Sequence, residues 1–251
     1  MALLNIVPLL NAPRPLAAAG ANVTYHGGPV IANVEVVAIY WGAFWQKQTT
    51  LISQLEGYFK YIVASSFLDM LAEYSTPTQT IGQGTFNSSV TVSASEPGGG
   101  GGTVSDAQIQ SALTQWTQGG TVPAVNANTL YFVFLPQGVT STMNGSASCQ
   151  QYCGYHSSVG SNLYYAVMPY SDCTGCALDN ELDTLTVIAS HELAESITDP
   201  SWTNNSGTGW FDDGSGDEIG DACVGQTTQL GNYMVQLIWS QSQQACADAP
   251  A

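Results

Sequence analysis

Basic side chains are nearly missing from this sequence: 251 residues carry 3 Lys or Arg against 19 Asp or Glu, a formal charge of −16 at pH 7. Phosphate backbones and anionic bilayers repel such a chain, which excludes nucleic acid and membrane surfaces as partners. Charge of either sign is scarce as well, at 9% of residues, and Ser, Thr, Asn, Gln and Gly must carry the solubility. That surface points to an extracellular protein. Carboxylates lose their charge towards a pKa of about 4, so a chain almost without bases accumulates little positive charge in acid, and the composition predicts an acid-adapted protein.

Long apolar runs are also lacking. The opening MALLNIVPLL has neither a basic flank nor the length to span a bilayer. Residues 1–21 read as a leader or N-terminal extension and residues 22–251 as one domain, long enough for a single sizeable core. A monomer acting on a peptide or protein substrate is expected.

Cysteine is present in an even number, six, at positions 149, 153, 173, 176, 223 and 246. In a base-poor chain these read as three disulfides whose pairing spacing does not decide. A zinc ribbon built from Cys149/Cys153 with Cys173/Cys176 is the competing reading.

Hydrophobic patterning predicts a mixed α/β fold, a single domain with a twisted sheet of about five strands, a backing helix and a further long helix. With the metal-site pattern that this last helix carries, the expected architecture is a zincin-like domain with an active-site helix. VEVVAIY at residues 34–40 and TLYFVFL at 129–135 have the continuous apolar character of buried strands, and residues 85–93 alternate more weakly. YYAVMPY at 164–170 reads as a strand at an edge or at a strand end because of Pro169. Apolar residues three and four apart predict one long helix over 49–74. A second helix is expected after the Ser105–Asp106 cap, and a third from Asn180 to Thr198, stopped by Pro200. EPGGGGGT reads as a loop.

The third helix carries SHELAES. His191 and Glu195 are four apart and share a face, with Glu192 rotated by about 100°. Two metal ligands beside a free carboxylate are the elements of metal-assisted hydrolysis: His191 and Glu195 hold zinc, and Glu192 is the general base. Downstream, GWFDDGSGDEIGDAC crowds Asp212, Asp213, Asp217, Glu218 and Asp221, whose repulsion calls for a cation. Glu218 or Asp221 supplies the third zinc ligand, and the rest of that loop, with Asp199, is a candidate for structural calcium. His156 in CGYH is a further candidate ligand, although a histidine in a Cys-bounded loop more often serves as a structural hydrogen-bonder. His26 has the same reading. Carboxylate ligands stay ionised to lower pH than imidazole, which agrees with the acid-tolerant composition.

With TYHGGPV (24–30), IYWGAFW (39–45), CGYH (153–156), CTGC (173–176), ITDP (197–200), GWF (209–211), EIGDAC (218–223) and the closing IWSQSQQAC (238–246), the chain resembles the Exordium, or phosphate-induced, family and its microbial relatives. The resemblance implies an extracellular setting. It departs from the plant members in carrying His191 and Glu192, so it looks like a microbial branch with an HExxE metallopeptidase pattern. In thermolysin-like gluzincins a downstream Glu ligates zinc and an Asp orients a ligand His; by resemblance Glu218 and Asp221 take those roles, with an Asp ligand as the alternative.

Overall fold

Six strands form a mixed sheet in the order Ile6–Pro8, Tyr152–Val159, Leu163–Met168, Thr129–Phe134, Glu35–Trp41, Thr85–Val92. The computed structural model describes residues 5–11, 21–201 and 208–250. The last four strands of that order run parallel, and the first two pairings are antiparallel. The continuous apolar runs are buried on both faces because helices cover both. Val36, Ala38, Tyr40, Phe132 and Phe134 face one core with α1 (Thr49–Ile62), α2 (Ser66–Leu71) and α4 (Glu181–Thr198). Val37, Ile39, Tyr131 and Val133 face another with α3 (Asp106–Gln118).

The sheet has six strands where about five were expected. Two of the six were not named from the sequence: Tyr152–Val159, where His156 was expected in a Cys-bounded loop, and Ile6–Pro8, which lies within the span read as a leader; of that span, residues 1–4 and 12–20 lie outside the described residues. Val7 is fully buried. Leu163–Met168 is an interior strand, not an edge, and Pro169 falls just past its end, where no ladder donor is needed. The single helix expected over 49–74 is broken. Ser65 leaves helical geometry and its side chain accepts from Phe67 N, capping α2, and residues 72–74 tighten into a 3-10 turn. Helix α3 begins with the expected cap, in which Ser105 and Gln108 satisfy each other's backbone N–H.

All six cysteines are bonded, as Cys149–Cys173, Cys153–Cys176 and Cys223–Cys246. The zinc-ribbon reading therefore fails: sulfurs committed to disulfides offer no thiolate to a metal. Among the described residues no helix is long and apolar enough to cross a membrane.

Asn180 caps α4 by accepting from Asp183 N, as its sequence predicts. The sheet lies against one side of α4, the hairpin strand Tyr233–Gln236 against another, and α1 and α2 pack on it as well. Every residue from Thr184 to Thr198 is consequently buried, polar ones included.

Candidate metal centre

Helix geometry separates the three side chains of SHELAES into two directions. Glu192 meets the sheet, where His156 of strand Tyr152–Val159 places Nδ1 2.9 Å from Glu192 Oε2 and 3.8 Å from Glu195 Oε2. Gly154, two residues earlier on that strand, permits the close approach: a Cβ there would lie 2.7 Å from Ile188 Cγ2 and 3.2 Å from Glu192 Oε1. His191 is turned to the loop after Glu218, with Nε2 2.9 Å from Glu195 Oε1. Asp221 N donates to that same Glu195 oxygen at 3.1 Å.

The carboxylates of residues 212–221 divide between surface and interior. Asp212 accepts from Gly214 N, Ser215 N and Ser215 Oγ, and Asp213 accepts from Thr24 Oγ1 and lies 3.0 Å from His26 Nε2. Burial raises the Asp212 pKa, but these bonds, together with one from Asn22 N, outweigh it and hold the carboxyl below its ordinary range. Hydrogen bonds thus do for Asp212 and Asp213 what calcium was expected to do, and neither joins a candidate metal group among the described residues. Glu218 instead turns inward, with Oε1 3.7 Å from His156 Nε2. His26 fits its structural reading, stacked on Phe211 at the surface. His156, 1% exposed, has hydrogen-bond partners at both ring nitrogens and also belongs to a candidate metal group, so both of its readings stand.

Hydrogen-bond partners constrain the protonation of both imidazoles. Gln236 Nε2 donates to the carbonyl of Gly220 at 2.8 Å, so its Oε1 is the atom facing His191 Nδ1 at 3.2 Å. An amide oxygen only accepts, so Nδ1 carries the proton, and the neutral ring keeps a free lone pair on Nε2, 2.9 Å from Glu195 Oε1 but out of line with it. On the other ring, His156 Nε2 lies 3.0 Å from both the Asp199 carbonyl, an acceptor, and the Asn5 amide nitrogen, a donor. When Nε2 donates to the carbonyl, the Nδ1 lone pair of His156 faces Glu192 and Glu195. Imidazole lone pairs this close to carboxylate oxygens repel them unless a cation is shared.

A proton is one such cation. Burial lowers the His191 pKa, but Glu195, Glu192 and Asp221 overcome it and lift it to about 9. His156 moves up for the same reason: burial opposes, and the hydrogen bond to Glu192 with the charges of Glu192, Glu195 and Asp199 prevails. Burial also raises Glu192, against the pull of His156, raises Asp199 to about 7, and lifts Glu218 well above the carboxylate range with help from Glu195, Asp199 and Asp221.

Protons on the imidazoles leave much unsatisfied. His191 Nε2 is not aligned for a hydrogen bond with Glu195 despite its proximity, and Glu192 Oε1, Glu195 Oε2, Asp199 Oδ1 and Glu218 Oε1 are buried without hydrogen-bond partners. Each unpaired buried acceptor costs about 1–3 kcal/mol, more when charged. No described Lys or Arg pairs with the cluster; Lys60 is bound to Glu56 on the surface. The donor set fits a divalent metal: two groups have ligand atoms within 4.8 Å of one another, His156 with Glu192 and Glu195, and His191 with Glu195 and Asp221.

The sequence-predicted residues His191, Glu192, Glu195, Glu218 and Asp221 thus lie in one region, with Asp221 rather than Glu218 beside His191. Sequence reasoning missed Gln236, which sits in no motif, and Asn5, whose carbonyl accepts from His156 N at 3.1 Å and whose amide lies 3.0 Å from His156 Nε2. No protein-family model matches the chain, and comparison with curated proteins returns no match.

Proposed function

We propose that this chain is a secreted, zinc-dependent endopeptidase of zincin-like architecture, a microbial relative of the Exordium family. The observation that carries the reading is His191 Nε2, its ring held by Gln236, 2.9 Å from Glu195 Oε1 four residues along one helix and out of hydrogen-bond alignment with it, in a site that no described Lys or Arg pairs with. His191 and Glu195 hold the metal, Asp221 completes the set, and Gln236 orients the imidazole. A bound zinc ion supplies Lewis acidity towards water and a peptide carbonyl. Glu192, held by His156, takes the proton of the attacking water and returns it to the leaving amine. Three disulfides agree with an oxidising, extracellular compartment.

Complete burial of His191, Glu192 and Glu195 favours a second reading, an ion that holds the fold together in a non-catalytic Exordium-like wall-binding or signalling protein. Hydrolysis of an unfolded protein substrate separates the two. The peptidase loses turnover on chelation, recovers it with zinc, and falls by about 100-fold or more in Glu192→Gln with the His191 ion retained. A zinc-loaded protein that melts higher than the chelated one yet cleaves nothing leaves the structural reading in place.

A further inference from the structure

The two imidazoles belong to different ligand groups that share one residue, Glu195, and they reach different oxygens of it. Oε1 faces His191 and accepts from Asp221 N; Oε2 faces His156 and has no hydrogen-bond partner. We infer that the cluster is a dinuclear metal centre in which Glu195 bridges two divalent cations, one on His191 and Asp221 and the other on His156 and Glu192. This rests on the proposed metal site and deepens it.

Three independent features point the same way. Each imidazole has its far nitrogen beside an acceptor, Gln236 Oε1 for His191 and the Asp199 carbonyl, together with the Asn5 amide, for His156, and turns its near nitrogen to the carboxylates as one ligand atom. A single ion, with bonds of about 2.0–2.2 Å, gathers only atoms packed tightly around one point, whereas among the described residues the two rings fall in separate groups.

Charge supplies the third. Glu192, Glu195, Asp199 and Glu218 are buried and Asp221 is half-buried, so five carboxylates surround two imidazoles. One divalent ion leaves three negative charges uncompensated when all five are ionised, and a second leaves one. Uncompensated charge in an interior of low dielectric is costly, and no described base relieves it. Glu218 Oε1 and Asp199 Oδ1 are likewise buried without a hydrogen-bond partner, Glu218 Oε1 3.7 Å from His156 Nε2, and add to the charge that the two ions offset. Glu192 would bind through Oε2 and keep Oε1 for the water.

The test is stoichiometry. The full chain, stripped with chelator and dialysed against excess zinc, is assayed by elemental analysis and by calorimetric titration with zinc. Two equivalents per chain are expected, falling to one in His156→Ala with the fold intact by circular dichroism. Manganese-loaded wild type is expected to give the electron paramagnetic resonance of a spin-coupled pair, a readout that needs no variant to fold. One equivalent with an uncoupled manganese spectrum overturns the dinuclear centre and leaves the mononuclear peptidase standing. No bound metal overturns both.

Discussion

Gln236 locks the orientation of His191: its amide N–H is spent on the Gly220 carbonyl at 2.8 Å, leaving its oxygen 3.2 Å from imidazole Nδ1. Its backbone is fixed in turn, since Gln236 N donates to Ser190 Oγ on α4 at 2.9 Å. Partners of this kind hold a ligand ring and raise its basicity, and removing one costs about 10–100-fold in metal affinity. Gln236→Leu is expected to weaken zinc by that factor in a competition titration against a chromophoric chelator, with little change in secondary structure. Unaltered affinity would mean that the amide does not orient the ligand.

Gly220 makes a second, sharper test of where the metal sits. Its backbone, with φ −77° and ψ −40°, suits any residue, so alanine carries no conformational penalty there. A methyl group would nevertheless stand 2.8 Å from Glu195 Oε1 and 2.9 Å from His191 Nδ1. Gly220→Ala should therefore lose metal far more than it loses stability in the chelated state. Equal metal content in mutant and wild type would place the ion away from the His191–Glu195 pair.

Disulfide Cys153–Cys176 ties strand Tyr152–Val159, which bears His156, to the segment that leads into α4. Closing a loop of 23 residues' separation restricts the unfolded chain by about 3 kcal/mol. The double variant Cys153→Ala, Cys176→Ala is expected to melt several degrees lower and to bind zinc less tightly, because the strand and helix of one site are no longer linked. If thermal denaturation moves but zinc affinity does not, the bridge serves the fold alone.

Much of this architecture was legible in the sequence. Strands 35–41 and 129–134 announce themselves because burial on both faces leaves only apolar residues, and α4 because its cap, period and stop coincide. The break at Ser65 was hidden, since apolar spacing continues across it while the cap that stops the helix is a single hydroxyl. In the site, His191, Glu192 and Glu195 were readable from helical spacing alone. His156 was readable only as a further candidate ligand, and Asn5 not at all, because contacts spanning 36 and 151 residues arise from the tertiary arrangement, which local patterns do not encode. The acidic run after Gly209 was readable only in part: Glu218 and Asp221 were expected at the zinc and the rest of the loop at calcium, whereas the chain sends Asp212 and Asp213 outward to hydrogen-bond partners and Glu218 inward towards His156.

Acidity offers the last test, and its sign follows from the direction of every resolved shift in the cluster. His191, at about 9, and Asp199, at about 7, are raised, and so are His156, Glu192 and Glu218. A raised group holds its proton more tightly folded than unfolded, so its stabilisation is complete below the unfolded pKa and is lost as pH climbs through the folded one. The carboxylates set the lower part of the window, from about 4 upward, and the imidazoles the upper part, from about 6.5. The chelated protein should therefore become steadily less stable from pH 5 to pH 9. Zinc competes with those same protons, so the stabilisation it confers should grow over the same range. Thermal melts with and without zinc measure both trends; a chelated protein whose Tm stays level or rises from pH 5 to pH 8 would contradict a cluster of buried carboxylates that must be neutralised by protons or by metal.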